Sequence, residues 1–170
     1  MSSHRTRTSL ITLLLALPAC GRSDAAAGHP ADSSFAAMKA RGAGVMGVNQ
    51  DASEHVFEDL PDGGRIAYRM LDATDTNGVA VIRRHLRSIS DSFSVGVFHG
   101  PTEVHGMEVP GSVTMTRLRG GIQYAVQELP TGAELRISSA DSVAIEAIHA
   151  FLAFQRIDHR AAGHDQMHQP

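Results

Sequence analysis

The sequence predicts an α+β fold in which a ββα unit occurs twice and two helices cover one face of an antiparallel sheet. A Leu-Pro-x-Gly turn stands between strand-like runs at two places, Leu60–Gly63 and Leu129–Gly132. Proline presets φ in such a turn and glycine accepts a left-handed conformation, so each segment is typical of a β-hairpin. A stretch with helical periodicity follows each hairpin, which gives the order ββαββα.

The second of these helices, Asp141–His159, has the clearest pattern in the chain. Asp141 or Ser142 can cap its first turn. Its apolar residues recur on one helical face, at Ala144, Ile148, Phe151 and Leu152. The earlier stretch, Asn77–Phe93, has a similar stripe and three candidate caps. The stripe consists of Ile82, Leu86, Ile89 and Phe93, and the caps are Thr74, Asp75 and Asn77. Because isolated helices of this length are marginal in water, we expect both to pack on the sheet.

The first twenty residues have the features of an export signal. Arg5 and Arg7 precede the apolar run Leu10–Leu17, which is too short to span a bilayer. The following Leu17-Pro18-Ala19-Cys20, with proline in its second position, resembles the lipobox of bacterial lipoproteins. This resemblance covers residues 1–20 and implies a signal peptide at 1–19 and a lipid on Cys20. Because Gly21 rather than aspartate follows the cysteine, it also implies an outer-membrane protein that faces the periplasm.

The rest of the chain divides into a tether, one domain and a tail. Residues 20–44 are rich in Ala, Gly, Ser and Asp and predict a flexible tether. Residues 45–160 are long enough for a single α+β domain, and residues 161–170 predict a disordered tail. Glycine and proline interrupt the segment 96–121. We expect its first part to be a loop that arches over the sheet, and its second part, from Ser112, to be a short helix.

Several classes of function are excluded by composition and motifs. The full chain has a net charge of −3, and removal of the signal peptide takes away Arg5 and Arg7 but no acid, so no nucleic-acid partner is expected. The single cysteine belongs to the predicted anchor, which leaves the domain without a thiol nucleophile, a disulfide or a cysteine–zinc site. Neither Gly-x-Ser-x-Gly, a phosphate-binding loop nor His-Glu-x-x-His occurs.

Histidine is the remaining residue type that could carry chemistry, with ten residues in a chain that has no tryptophan. His85 lies on the apolar side of the first helix. When the helices are aligned by their stripes, His85 matches Phe151 and His159 matches Phe93. In a two-fold arrangement the helices run antiparallel, which would bring His85, Gln155 and His159 together.

The central segment adds further candidate ligands for a metal. Imidazole binds borderline metals, thioether favours reduced copper, and two facing histidines can hold a haem. The predicted site therefore holds copper, zinc or haem and draws on His85, His159, His99, His105 and Met107. His55, at the start of a strand, and His149, on the outer flank of the second helix, are expected at the surface.

Three functional hypotheses follow from these patterns. The first is a lipid-anchored envelope module that binds a metal or haem through histidines. The second is a non-catalytic domain that docks another envelope protein and carries its histidines incidentally. The third and weakest is a small enzyme that uses histidine as a general base. Catalysis by paired carboxylates has little support, because no pair has a spacing that forces the two groups together.

Overall fold

The computed structural model describes residues 30–163, and within them the predicted α+β fold is confirmed. The helices are α1 (Pro30–Met46), α2 (Thr76–Ser94), α3 (His99–His105), α4 (Ser112–Arg117) and α5 (Ser142–His159). The strands are β1 (Ser53–Leu60), β2 (Gly63–Met70), β3 (Ile122–Leu129), β4 (Gly132–Ser139) and the short β5 (Ala162–Gly163). The predicted signal peptide, Cys20 and residues 164–170 lie outside the described residues.

The two predicted hairpins join through their inner strands. β1 pairs with β2 and β3 pairs with β4, both antiparallel, and β2 pairs with β4 so that Ile66 lies opposite Leu135. The strand order is β3-β4-β2-β1-β5, in which β5 adds a two-residue parallel pairing to β1. The two ββα units are therefore related by an approximate two-fold axis between β2 and β4.

Glycine begins the second strand of each hairpin, but the reason differs between the two. Gly63 has a φ of +142°, and a Cβ there would lie 2.2 Å from the carbonyl oxygen of Ile137. Gly132 does not have a positive φ, which corrects our expectation of a left-handed turn. A Cβ at Gly132 would lie 2.0 Å from the carbonyl oxygen of Tyr68. The close approach of β2 and β4 therefore requires glycine at this position.

Aspartate side chains cap both long helices. Asp75 accepts a hydrogen bond from the backbone N–H of Gly78 at 2.8 Å. Asp141 accepts bonds from Val143 at 2.8 Å and Ala144 at 3.1 Å. These bonds satisfy N–H groups that the first turn of a helix leaves without a partner. Both residues are among the caps that the sequence predicts.

Both long helices pack on the same face of the sheet. α2 lies mainly over β3 and β4, and α5 lies over β1 and β2, so each helix covers the hairpin of the other unit. The predicted core is confirmed, because four stripe residues are at most 1% exposed: Ile82, Leu86, Ile148 and Leu152. Leu152 fills the space where a side chain at Gly64 would stand. Buried residues of β1, β2 and β4 complete this core, among them Phe57, Ile66, Leu135 and Ile137.

The sequence predicts a flexible tether over residues 20–44, but over residues 30–44 the structure has a helix, since α1 begins at Pro30. α1 buries Met38 and Met46 against the domain, and Arg41 Nε donates a hydrogen bond to the carbonyl oxygen of Val104 at 2.7 Å. Composition alone does not predict this helix, because its glycines lower helix propensity. Packing of α1 on the rest of the domain offsets that loss of helix stability. At the other end, the predicted tail begins with the β5 pairing at Ala162 and Gly163.

The central segment also contains more structure than predicted. Its first part, expected as a loop, includes α3, which is anchored by the buried Val104 and ends at Gly106 with a φ of 69°. The predicted short helix from Ser112 is confirmed as α4, with Met115 fully buried. α3 packs on α1, and together these two helices cover the end of the sheet where the histidines lie.

Candidate functional site

Four histidines line one cavity between the sheet and the helices. The cavity has a volume of about 70 Å³, which is room for a few atoms or water molecules. Its apolar walls include Phe57, Ile66, Leu86, Phe93 and Phe151. Its polar residues are His55, His85, His105, His159 and Gln155, together with Tyr68.

Different elements supply the four imidazoles. His85 comes from the inward side of α2, and His159 is the last residue of α5. His105 is the last residue of α3, and His55 is the third residue of β1. The structure thus places His85, Gln155 and His159 on one cavity, as the antiparallel arrangement of the helices predicts, and α3 brings His105 to them.

His55 is a cavity residue that the sequence analysis placed at the surface, and this prediction is wrong. It pairs across β1 and β2 with Tyr68, and the two rings stack at 3.7 Å between centroids. A detectable signal was its position two residues before Phe57, because alternate residues of a strand face the same side. The strand pattern therefore predicts that His55 and the buried Phe57 share a face.

The approximate two-fold axis relates the histidines to an aromatic cluster at the other end of the helix pair. His85 and His159 match Phe151 and Phe93, whose rings lie 5.7 Å apart. His55 and Tyr124 are each the third residue of the first strand in their unit. Tyr124 contacts Phe93 at 6.0 Å, as His55 contacts His159 at 5.1 Å. One unit thus uses phenyl rings where the other presents imidazoles.

His105 differs from the other three because both of its ring nitrogens have partners. Nδ1 lies 2.5 Å from Asp158 Oδ2, and Nε2 lies 2.8 Å from Gln155 Oε1. The His105 side chain is 1% exposed, so these bonds satisfy a buried polar ring. His105 therefore fixes α3 to α5 and borders His159, whose ring centroid is 5.1 Å away.

The ring nitrogens of the other three cavity histidines differ from those of His105 in their hydrogen bonding. Within residues 30–163, those of His55, His85 and His159 have no hydrogen-bond partner. His55 and His159 are 5.1 Å apart, and His85 meets the edge of Tyr68 at 6.4 Å. The three residues are only partly buried, so solvent can reach their ring nitrogens. They are the side chains of the cavity that could contact a ligand.

Burial lowers the pKa of these three imidazoles. The pKa of His55 lies well below 6.5 because the ring is buried, and His159 and His85 add to the effect. Burial also lowers the pKa of His85. The pKa of His159 falls to about 4 through burial and the nearby His105, against an opposite effect of Asp158. All three rings are therefore neutral at pH 7, which is the form that coordinates metals.

Two of the predicted ligands lie outside the cavity. The side chain of His99 is 80% exposed and pairs with Glu103, with Nε2 3.6 Å from Oε2. Met107 is 50% exposed on the surface. The thioether at the cavity comes instead from the buried Met46 of α1. His149 also lies elsewhere, with Nε2 3.0 Å from the carbonyl oxygen of Leu60.

The arrangement of the side chains limits what the cavity can hold without movement. Among residues 30–163, no three His, Cys, Asp or Glu side chains are positioned to hold a metal ion in this conformation. Coordination by His55, His85 and His159 would require their rings to turn toward a common point.

Comparison with known proteins gave no match: no protein-family model matches the sequence, and no curated protein or solved structure is significantly similar to it. None of the helices in the described part of the chain is both long enough and apolar enough to cross a membrane. The functional argument therefore rests on the histidine cavity itself.

Proposed function

We propose that this protein is a binding module of the cell envelope that holds a copper ion through His55, His85 and His159. One observation carries this proposal: three neutral imidazoles, without hydrogen-bond partners among the described residues, border a single small cavity. The neutral imidazole is the form that coordinates a metal, and three such rings border this one space.

The size of the cavity and its sulfur atom favour copper among the three predicted ligands. A space of about 70 Å³ is too small for a haem. Imidazole suits both zinc and copper, whereas a thioether adds preference for reduced copper. Met46 lines the cavity and supplies that thioether.

His105 has a supporting role in this proposal rather than a coordinating one. Its nitrogens are bonded to Asp158 and Gln155, so it holds α3 and the end of α5 in place around His159. The same bonds argue against the hypothesis of an enzyme with His105 as general base, because neither nitrogen is left to accept a proton from a substrate.

Attachment to the membrane is the second part of the proposal. The basic residues, apolar run and Leu17-Pro18-Ala19-Cys20 support a lipid on Cys20. The copper site would then stand on the periplasmic side of the outer membrane. If no metal binds, the better hypothesis is that this domain docks another envelope protein.

Copper titration of the untagged full-length chain tests the proposed site. Tyr68 stacks on His55, and the chain has no tryptophan. In a Tyr124→Phe background, which removes the second tyrosine, quenching of tyrosine fluorescence by Cu²⁺ therefore reports binding next to His55. The His85→Phe/His159→Phe double variant should stay folded, because phenylalanine occupies the matching positions of the other unit. We expect its affinity for Cu²⁺ to fall by more than about 100-fold. Changing a residue that only hydrogen-bonds to a metal ligand already lowers metal affinity by about 10–100-fold.

Two further variants make this test specific. His149→Gln removes a histidine outside the cavity and should bind Cu²⁺ as the wild type does. Met46→Leu keeps an apolar side chain of similar size and should weaken Cu⁺ binding while leaving Zn²⁺ binding unchanged. Undiminished quenching in the folded double variant would refute the site and leave the docking hypothesis as the better one.

A further inference from the structure

The sheet has two outer strands, and within residues 30–163 a further strand covers only one of them. β5 pairs with β1 at Val56 and Phe57. β3, the matching outer strand of the second unit, pairs with β4 alone. Phe57 is 3% exposed, whereas Val126, which is the fifth residue of β3 as Phe57 is of β1, remains partly exposed. In the described part of the chain, β3 therefore lacks the neighbour that its counterpart has.

The backbone of β3 is able to pair with another strand. Leu129 and Gly132 flank a two-residue turn and face each other across the hairpin. They therefore exchange hydrogen bonds, and the N–H and C=O groups of Tyr124 and Val126 point away from β4. No hydrogen bond from within residues 30–163 reaches these outward groups. An edge of this kind is a template for a further strand.

The side chains of β3 do not prevent such pairing. Native proteins usually protect an edge strand with charged residues, proline or a bulge. The run from Ile122 to Gln127 has no charge and no proline, and its pairing with β4 is continuous. On the face of the sheet that the helices leave uncovered, it presents the exposed Gln123, Ala125 and Gln127. This part of β3 is therefore an unprotected edge.

The order of the side chains in β3 matches a second copy of the same strand. When two β3 strands lie antiparallel with Ala125 opposite Ala125, Gln123 of each copy lies opposite Gln127 of the other. The two amides can then donate to and accept from each other. On the helix-covered face, Tyr124 lies opposite Val126 of the other copy, and such aromatic and β-branched pairs stabilise sheets.

α2 lies over β3 and β4 and would enlarge the contact between two copies. With strands about 4.8 Å apart, the two α2 axes would be about 10 Å apart, close to the distance at which helices pack. Arg83 and Arg87 both pair with Glu128 and so mark the side of α2 that faces the β3 edge. Further along, the same side carries the small Ser90 and Ser94. The helices can therefore help two short strands reach the roughly 1,000 Å² that a specific interface needs.

We infer that the protein forms a two-fold symmetric dimer through antiparallel pairing of β3 with β3 of a second copy, with Ala125 on the two-fold axis. The pairing joins two sheets into one continuous sheet and sets both α2 helices side by side on it. The dimer does not depend on the ligand of the histidine cavity, because none of the described residues that line the cavity belongs to β3.

Sedimentation velocity of the untagged full-length chain tests the dimer. We expect a species of about 36 kDa, twice the 18.1 kDa of one chain. Ala125→Lys puts two like charges opposite each other on the axis, so we expect this variant to sediment with the mass of one chain at the same concentration. Ala37→Lys, at an exposed position of α1 away from β3, is the matched control and should remain a dimer.

A disulfide cross-link tests the register and does not depend on whether Ala125→Lys folds. In a Cys20→Ser background, Ala125→Cys puts two thiols opposite each other, within the Cα separation that a disulfide needs. Oxidised glutathione, which accepts the two electrons and two protons of the thiols, should convert this variant to a covalent dimer on a non-reducing gel. Gln123→Cys is the control, because its two Cα atoms would lie about 13 Å apart along the strands, too far to cross-link.

Three results would overturn the inference. A wild-type chain that sediments as a monomer would exclude the dimer. A dimer that persists in folded Ala125→Lys would place the interface on another surface. Equal cross-linking of Ala125→Cys and Gln123→Cys would show that β3 does not pair in the proposed register.

Discussion

At the scale of single residues, three of the histidines that line the cavity have no hydrogen-bond partner among residues 30–163. His55, His85 and His159 are neutral because burial disfavours the imidazolium form. The cost of keeping them is visible by comparison with the other unit, which places Tyr124, Phe151 and Phe93 at the matching positions. Apolar residues pack at the matching positions of the other unit, and this difference is one argument for the proposed ligand.

The pKa of His159 predicts how stability depends on pH. The ring titrates at about 4 in the folded protein, against 6.5 in the unfolded chain. Between these values the unfolded chain binds a proton that the folded protein does not, so stability falls as the pH drops from 6.5 toward 4. We expect His159→Phe to lose less stability over this range than the wild type, as measured by urea denaturation of the metal-free protein.

The slope should decrease in this variant without disappearing, because burial also lowers the pKa of His55 and His85. Ile157→Ala serves as the control, since Ile157 is a 76% exposed, non-titrating residue of the same helix. An identical pH dependence in wild type and His159→Phe would contradict the lowered pKa of His159.

At the scale of elements, the antiparallel arrangement of α2 and α5 both forms part of the apolar core and lines the histidine cavity. Because the two helices run antiparallel on the sheet, the start of each lies near the end of the other. At one end of the pair Phe93, Phe98 and Phe151 form a cluster with centroid distances of 4.2–5.7 Å. At the other end His85 and His159 line the cavity. Arg156 holds α5 on β1 through two hydrogen bonds to Asp59, at 2.9 and 3.0 Å.

Leu152 tests the packing of α5 on the sheet. Its side chain is fully buried and occupies the space above Gly64. We expect Leu152→Ala to lower the free energy of unfolding by about 2–5 kcal/mol, the usual cost of a cavity left by leucine. Val143→Ala, at a 48% exposed position of the same helix, should change it by no more than about 0.5 kcal/mol. Equal effects in the two denaturant melts would show that α5 packs differently.

At the scale of the whole molecule, α1 closes the domain on the side of the cavity. Its Asp32 accepts a hydrogen bond from Arg160 at 2.8 Å, and the Arg160 guanidinium lies 4.2 Å above the ring of Phe35. These contacts tie α1 to the residue that follows His159. In the sequence, residues 21–29 separate the proposed lipid anchor at Cys20 from the start of α1 at Pro30.

The anchor gives a prediction for the protein in its cell. Because acylation requires the cysteine, Cys20→Ala should release the protein from the membrane fraction or leave its precursor uncleaved. Cell fractionation and mass spectrometry of the N-terminus measure both results. A conservative Ser23→Ala change beside the cysteine should leave membrane attachment intact. A mature N-terminus that lacks lipid or begins elsewhere would contradict the proposal.

The sequence by itself determined the local structure of this protein. Leu-Pro-x-Gly turns, aspartate caps and apolar stripes are short-range signals, so both hairpins, both long helices and α4 could be predicted from them. The repeat of these signals also predicted the antiparallel helices, and with them the meeting of His85, Gln155 and His159. Each of these features depends on residues close together in the chain or on one symmetric arrangement of two units.

Only the tertiary structure decided which other residues join the cavity. α1 and α3 are stabilised by contacts with each other and with the domain, and their own sequences are too weak in helical signal to predict them. Met46 and His105 reach the cavity through these two helices, while His99 and Met107, equally good candidates by residue type, remain exposed. His55 was assigned wrongly although its position two residues before Phe57 was a local signal for the buried face of the strand. Side-chain convergence is a long-range property, and a spacing along the chain does not fix it.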